Sequence, residues 1–208
     1  MTCQIPDHIM ASYAAGTLPD AFALVVATHV SMSPDSRASL EAHQALGGSV
    51  LELMGGETLS AGLKDSVLAA LDDPFEPVPQ YARSGVYPAP VMAALNGRGV
   101  AWKNMGGGVR QDIVTADQHG TARLLYIPPG MAVPDHGHNG LEMTLVLQGS
   151  FSDETGHFGV GDVEIANEDL DHTPIAGPGE ACICLAATDA PLRFRALIPR
   201  LLQPLFKI

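Results

Sequence analysis

Two histidines and one glutamate stand close together in the second half of the chain, at His136, His138 and Glu142. Because the histidines are two residues apart, both imidazoles point to the same face of an extended strand, which we expect to face inward. Asn139 and Gly140 then supply a turn, so that Glu142 begins the next strand and faces the same interior. Imidazole and carboxylate groups that converge in this way are typical of a divalent-metal site.

The glycines on either side extend this pattern. Gly130 precedes the histidines and Gly149 follows the glutamate, which gives the spacing G-x5-H-x-H-x3-E-x6-G. This spacing resembles the first sequence motif of the cupin family, and every position of that motif is filled. The resemblance implies a β-barrel whose interior holds a metal ion through His136, His138 and Glu142. A chance cluster of surface histidines would not explain the flanking glycines.

A second cupin motif is matched in part. Gly161 and His172 occupy their places in the pattern G-x5-P-x-G-x2-H-x3-N. The motif's usual proline, glycine and asparagine are replaced by Asn167, Asp169 and Ala176. The resemblance therefore implies that His172 is the fourth metal ligand, although its motif is degraded.

Three histidines and one glutamate can bind several different metals. They could close a tetrahedral zinc site or leave free positions on manganese, iron or nickel, and we expect zinc. A metal enzyme would also need a general base, for which the sequence offers Glu164 and His157. His157 also competes with His172 for a place in the site, but we expect it to be a loop residue. Cys182 and Cys184 are two apart and point the same way, either toward the metal or into the core.

The composition narrows the choice of partner and location. The 208 residues carry a formal net charge of −12, which argues against direct nucleic-acid binding because phosphate contacts need a basic surface. Residues 1–75 carry 2 basic and 9 acidic side chains, a net of −7, which suits a basic protein partner. No apolar run is long enough to cross a bilayer, and no secretory leader is evident. The three cysteines form no disulfide framework, so we expect a cytoplasmic protein.

The spacing of apolar residues predicts helices in the first part of the chain. The expected helices cover residues 7–17, a segment that begins near Pro19, residues 35–54 and residues 60–71. Five prolines between residues 73 and 96 predict an extended linker, with one helical turn near residues 91–95.

From about residue 100 the pattern changes to short β-like runs separated by glycine and proline, which is typical of a sandwich or barrel. The runs cover residues 109–114, 122–127, 143–147, 163–166, 182–186 and 192–196. We therefore predict a small helical bundle at residues 1–75, a proline-rich linker at 76–96 and a metal-binding cupin barrel (double-stranded β-helix) at 97–208.

Nearly the full length of the chain resembles the ChrR-type anti-sigma factors, which join a zinc-binding helical domain to a cupin-like domain. The matching residues are 14–19, 24–29, 46–49, 106–111, 133–138, 145–149 and 182–192. The resemblance implies an anti-sigma factor that binds and inhibits an extracytoplasmic-function sigma factor. It also implies that the cupin senses singlet oxygen or organic peroxide stress.

The helical half departs from the family at its zinc site. The family uses an early histidine and an H-x3-C-x2-C run, and His8 and His29 match the histidines. Ser33 and Ser36, however, occupy the two cysteine positions. A neutral hydroxyl is a poor zinc ligand beside a thiolate, so we expect no tight zinc here. His8 and His29 could equally be ordinary helix-surface histidines.

Three functions follow from these patterns. The first is the anti-sigma factor, which needs no catalytic residues. The second is a metal-dependent cupin enzyme, an oxygenase or isomerase, because a fold does not decide a function. The third is a module that binds a small apolar ligand in the barrel. The acidic helical half and the full-length resemblance favour the first.

Overall fold

The computed structural model describes residues 4–71, 74 and 77–194 of the chain. Within these ranges the helices come first: α1 Asp7–Ala14, α2 Asp20–Met32, α3 Pro34–Leu53, α4 Leu63–Ala70 and α5 Ala89–Ala94. The predicted helices are confirmed, and so is the helical turn in the proline-rich segment, although α1 and α4 are shorter than expected.

Proline and serine side chains determine where the first helices begin. Pro19 directly precedes α2, and Pro34 lies in the first turn of α3, where its missing N–H costs no hydrogen bond. Ser33 is the N-cap of α3, and its hydroxyl accepts a hydrogen bond from the N–H of Ser36 at 3.2 Å. Residues 33 and 34 therefore form a sharp junction between α2 and α3.

The rest of the described chain is built of short strands. They are β1 Lys103–Gly106, β2 Val109–Asp117, β3 Gly120–Ile127, β4 His136–Gly137, β5 Glu142–Gln148, β6 Ser150–Ser152, β7 His157–Gly159, β8 Val163–Ala166, β9 Asp171–His172, β10 Ile175–Ala176, β11 Cys182–Thr188 and β12 Arg193–Phe194. The β-like runs predicted from the sequence are present, but residues 195 and 196 of the last one lie outside the described residues.

The strands form three sheets. One has six strands in the order β1-β2-β3-β11-β5-β8, and the other two have three each, β10-β6-β7 and β12-β4-β9. Apolar side chains of the large sheet and of the β10-β6-β7 sheet pack together in one core cluster. That cluster contains Val146, Phe151 and Phe158, together with the two cysteines of β11.

The other face of the large sheet is covered by α2. Phe22, Val25 and Val26 of this helix are at most 2% exposed and pack in one core with Leu124 and Leu185 of the sheet. Burial of side chains of this size contributes roughly 1.5–3 kcal/mol each. Packing on the sheet therefore stabilises α2. The domain boundaries at residues 75 and 97 stay a prediction.

Glycine permits the close approach of α2 to the sheet. A Cβ atom at Gly120 would stand 3.3 Å from the Cβ of Ala21 and 3.1 Å from the carbonyl oxygen of Thr188. A side chain at this position would have to displace the helix or the neighbouring strand, so glycine sets the distance between them.

Large apolar side chains are exposed to solvent along the second half of α3, along α4 and in the residues that follow each of these helices. We refer to these side chains as the apolar stripe. Its members are 40–88% exposed: Leu46, Val50, Leu51, Leu53, Met54, Leu59, Leu63, Val67, Leu68 and Leu71. Large contiguous apolar patches are unusual on a monomer, so the apolar stripe is a candidate interaction surface.

Candidate metal centre

Strand pairing brings the predicted ligands together. β4 pairs with β9 in a register that places His136 opposite His172. His138 follows directly after β4, and Glu142 is the first residue of β5, as the spacing predicts. A Cβ atom at Gly137 would overlap the carboxylate of Asp171, so glycine between the two histidines lets β4 and β9 lie close together.

The imidazoles converge on a common point. The Nε2 atom of His172 lies 3.1 Å from that of His136 and 3.2 Å from that of His138. All three histidines are at most 3% exposed. One potential ligand atom from each of these residues and from Glu142 lies within 4.8 Å of the others, so the group could hold a metal ion.

These separations suit a bound cation. Nitrogen ligands about 2.0–2.1 Å from a zinc ion stand roughly 3–3.5 Å from one another, which matches the distances between the Nε2 atoms. Nδ1 of His138 and Oε2 of Glu142 lie 3.1 Å apart but lack the alignment of a hydrogen bond, and each is buried without a hydrogen-bond partner. A cation would satisfy the carboxylate oxygen, which otherwise has a desolvation cost of its own.

The protonation state of Glu142 also suits a ligand. Burial by itself would raise the pKa of this carboxyl group, but the imidazoles of His138 and His136 outweigh burial and the pKa is lowered. The hydroxyl of Thr144 donates a hydrogen bond to Oε1 of Glu142 at 2.9 Å. Glu142 is therefore ionised at neutral pH and held in place.

A backbone carbonyl orients His136. Its Nδ1 lies 2.9 Å from the carbonyl oxygen of Pro134, and an N–H donated there leaves the Nε2 lone pair facing the other imidazoles. Burial lowers the pKa of His136, although Glu142 partly opposes this shift. The net lowering of the pKa favours the neutral imidazole that a metal requires.

Two carboxylates orient His172 from behind. Its Nδ1 lies 2.7 Å from Oδ2 of Asp153 and 3.3 Å from Oε1 of Glu164. Burial alone would lower the pKa of His172, but the two carboxylates raise it to about 9. Burial raises the pKa of Glu164 to about 7. A proton on Nδ1 shared with Asp153 directs the Nε2 atom of His172 toward the other two histidines.

Sequence reasoning missed Asp153, and it considered Glu164 only as a possible base. Both carboxylates also form, with His172, a second group of potential ligands. Glu164 lies opposite Thr144 of β5, and a carboxylate inside the otherwise apolar strand β8 is the one local signal that pointed to it. His157, predicted to be a loop residue, instead begins β7, where it is exposed and contacts the hydroxyl of Ser152 at 2.8 Å. It takes no part in either group.

The cysteine pair of β11 is part of the apolar core of the cupin domain. The Sγ atoms of Cys182 and Cys184 are 3.3 Å apart and buried in the apolar cluster. The hydrogen bond with Cys182, together with burial, raises the pKa of the Cys184 thiol, and the charges of Glu142 and Glu164 add to this effect. Both thiols therefore face the barrel interior and are also part of its core, so the two sequence interpretations are compatible. Cys3 lies outside the described residues.

In the helical half, the four residues at the family's zinc-binding positions do not form one cluster. His8 is exposed on α1, while His29 is buried on α2 and lies 3.0 Å from the hydroxyl of Ser36. Ser33 caps α3. Among the helices that the structure describes, none combines the length and apolarity needed to cross a bilayer.

Comparisons with known proteins agree with this architecture. Residues 92–191 match the sequence family described as the ChrR Cupin-like domain. The anti-sigma-E factor ChrR of Cereibacter sphaeroides is 51% identical over 207 residues, which cover 98% of this chain and 97% of that protein. In the crystal structure of Rhodobacter sphaeroides SigE in complex with the anti-sigma ChrR, the matching chain is 50% identical with a TM-score of 0.80. The match covers 90% of this chain and 98% of that one. The predicted fold class, helices followed by a cupin domain, is confirmed.

Proposed function

The chain belongs to the ChrR family of anti-sigma factors, and on this basis we propose that it binds and inhibits an extracytoplasmic-function sigma factor, with the cupin domain sensing oxidative stress. The resemblance drawn from the sequence is confirmed by the full-length relative. That relative is an anti-sigma factor, which favours the regulatory function over the cupin enzyme considered as the alternative. The partner would meet RNA polymerase in the cytoplasm, and we place the chain there.

The observation that carries this proposal is the apolar stripe of α3 and α4. Most of its side chains lie on two consecutive helices, and members such as Leu51 and Leu53 are 70% and 88% exposed. The stripe lies among acidic side chains, since residues 34–71 contain 5 acidic and 2 basic residues, a net of −3. A partner surface that is apolar with a basic surround fits both properties.

A matched pair of variants tests the partner surface. Purified chain is titrated with SigE of Rhodobacter sphaeroides as the probe, and Leu51→Glu is compared with Ala38→Glu, which places the same charge on an exposed part of α3 outside the stripe. A central apolar contact is worth about 2 kcal/mol or more, so Leu51→Glu should weaken binding at least roughly 30-fold while Ala38→Glu changes little. Absence of a complex between two folded proteins, or equal binding by both variants, would contradict the proposal.

The cupin domain holds a metal ion, with zinc as the proposed metal. Its ligands are His136, His138, Glu142 and His172. The short Nε2 distances and the buried Glu142 oxygen support this assignment. A zinc ion held by these residues would supply a positive charge that links β4, β5 and β9. The chain's own contribution is to orient the imidazoles of His136 and His172, through the Pro134 carbonyl and the Asp153 carboxylate, and to keep His136 neutral by burial.

The position of the site suggests how a signal reaches the helices. Glu142 faces the metal group, while its neighbour Met143 is fully buried on the opposite face of β5, in the core shared with α2. Met143 therefore faces away from the metal group. A displacement of β5 at Glu142 would change the packing of Met143 on α2. The signal is singlet oxygen or organic peroxide, for which Cys182 and Cys184 are oxidisable groups in the same interior.

Metal analysis tests the sensing half. The full chain should contain about one metal ion, and His136→Ala should lose it while keeping the melting behaviour of a folded protein. A chain that remains folded and binds no metal at all would contradict the cupin site, whatever the result of the SigE titration.

A further inference from the structure

The buried imidazole of His29 joins three parts of the molecule. His29 is 3% exposed, and its Nδ1 lies 3.0 Å from the Ser36 hydroxyl, which links α2 to α3. The ring also faces the backbone of Gly161 and the carboxylate of Asp162, in the turn between β7 and β8. Burial lowers the pKa of His29, and these two neighbours only partly oppose it, so the ring is neutral. A neutral imidazole can donate on one side and accept on the other.

The groups that would have to bind zinc in this half are already engaged in other contacts. Ser33 uses its hydroxyl to accept the N–H of Ser36 at the start of α3. Ser36 uses its own hydroxyl on His29. His8 is exposed on α1. Two neutral hydroxyls and two histidines do not fit a structural zinc site, which is built from thiolates and imidazoles.

The helices have another source of order. α2 packs its buried side chains, Phe22 among them, on the large sheet, and Gly120 brings the sheet within van der Waals distance of Ala21. This packing and the His29 contacts act on the same helix, one through its apolar face and one near its C-terminal end.

We propose that the first three helices of this chain are anchored without zinc, by packing of α2 on the cupin sheet and by His29, which connects Ser36 to the β7–β8 turn. His29 is thus a positioning residue that holds the α2–α3 junction against the cupin domain. The order of these three helices depends on the cupin domain and not on a metal of their own.

A measurement of the metal content of the full chain tests the claim that the helices hold no zinc. In the His136→Ala chain, the cupin contribution is removed, and we expect no zinc to remain after gel filtration. Adding Ser33→Cys and Ser36→Cys to that chain should restore about one zinc, with thiolate-to-cobalt absorption when cobalt replaces it. Zinc retained by His136→Ala and released by a further His29→Ala change would overturn the proposal. The metal bound by the cupin site is measured as the difference in metal content between wild type and His136→Ala. An error in the proposed cupin site can therefore be distinguished from an error in the proposal about the helices.

Hydrogen exchange tests the claim that His29 holds the α2–α3 junction in place. Ser36→Ala removes the partner of His29, while Ser39→Ala is the control, since Ser39 lies one turn further along α3 and has no hydrogen bond from its hydroxyl in the described structure. Peptides covering α2 and the start of α3 should exchange roughly fivefold faster in Ser36→Ala, with or without chelator, and little faster in Ser39→Ala. Equal rates in the two variants, or wild-type rates that rise in chelator as far as in Ser36→Ala, would overturn it.

Discussion

Replacing Asp153 with asparagine is expected to weaken metal binding by the chain although Asp153 is not itself one of the four proposed ligands. Oδ1 of Asp153 accepts hydrogen bonds from the N–H of Thr155 and of Gly156, and an asparagine oxygen can keep both. Oδ2 lies 2.7 Å from Nδ1 of His172. An amide nitrogen in its place would donate to Nδ1, and the imidazole proton would move to Nε2, the atom that faces the metal group.

The size of the effect follows from that contact. Removing a carboxylate that orients a ligating histidine typically lowers metal affinity roughly 10- to 100-fold, which corresponds to about 1.4–2.8 kcal/mol. Glu164 lies 3.3 Å from the same Nδ1 and can take over part of the role. We therefore expect a loss near the lower end of this range for Asp153→Asn, and a larger loss when Glu164→Gln is added.

The assay is competition for zinc between the full chain and a chelator of known affinity. Asp169→Asn serves as the control, because it makes the same chemical change at an exposed carboxylate in the segment before His172. Thermal unfolding of each variant establishes that the chain is folded. Two results would refute this reasoning: zinc binding by Asp153→Asn as tight as in wild type, or an equal loss of affinity in Asp169→Asn. Either result would show that the contact between Asp153 and His172 does not determine the zinc affinity.

Three further changes test the core and the titratable groups. Phe22→Ala should lower the free energy of unfolding by roughly 3–5 kcal/mol in urea titrations, because it empties the contact between α2 and the sheet; a loss below 1 kcal/mol would contradict the shared core. Burial lowers the pKa of His29 below 6.5, so its contribution to stability is complete above that pH and is lost as the pH falls toward the folded value. His29→Gln should reduce the fall in unfolding free energy between pH 7.5 and 5, and an unchanged fall would count against a buried neutral ring. In a Cys3→Ser background, Cys182 and Cys184 should resist a thiol reagent until urea unfolds the chain, whereas fast labelling of the native protein would refute their burial.

The local part of the metal-centre prediction depended on spacing alone. Side chains two residues apart on a strand share a face, and a short turn returns the chain to the same interior, so His136, His138 and Glu142 could be grouped without a structure. His172 was found by its offset in a family motif, and the register of β4 and β9 then places it opposite His136. The structure brings the four together, and their role as ligands stays a prediction.

The contacts of Asp153 and Glu164 with His172 could not be predicted from local spacing. Asp153 is 19 residues from His172 in sequence, and no helical or strand period connects them. Their contact depends on how β6, β8 and β9 pack around the barrel interior, which involves pairings between distant parts of the chain. Met143 shows the opposite case, since the alternation along β5 already implied that it faces away from Glu142.

The sequence by itself determined the order of helices and strands, the types of metal ligand available and the sides of each strand on which they lie. These properties follow from side-chain chemistry and from periods that act over a few residues. Only the tertiary structure decided that α2 shares a core with the cupin sheet, while the apolar side chains of α3 and α4 remain exposed. An amphipathic pattern identifies a face that needs cover, but the surface that covers it, within the chain or on a partner, depends on contacts between distant segments.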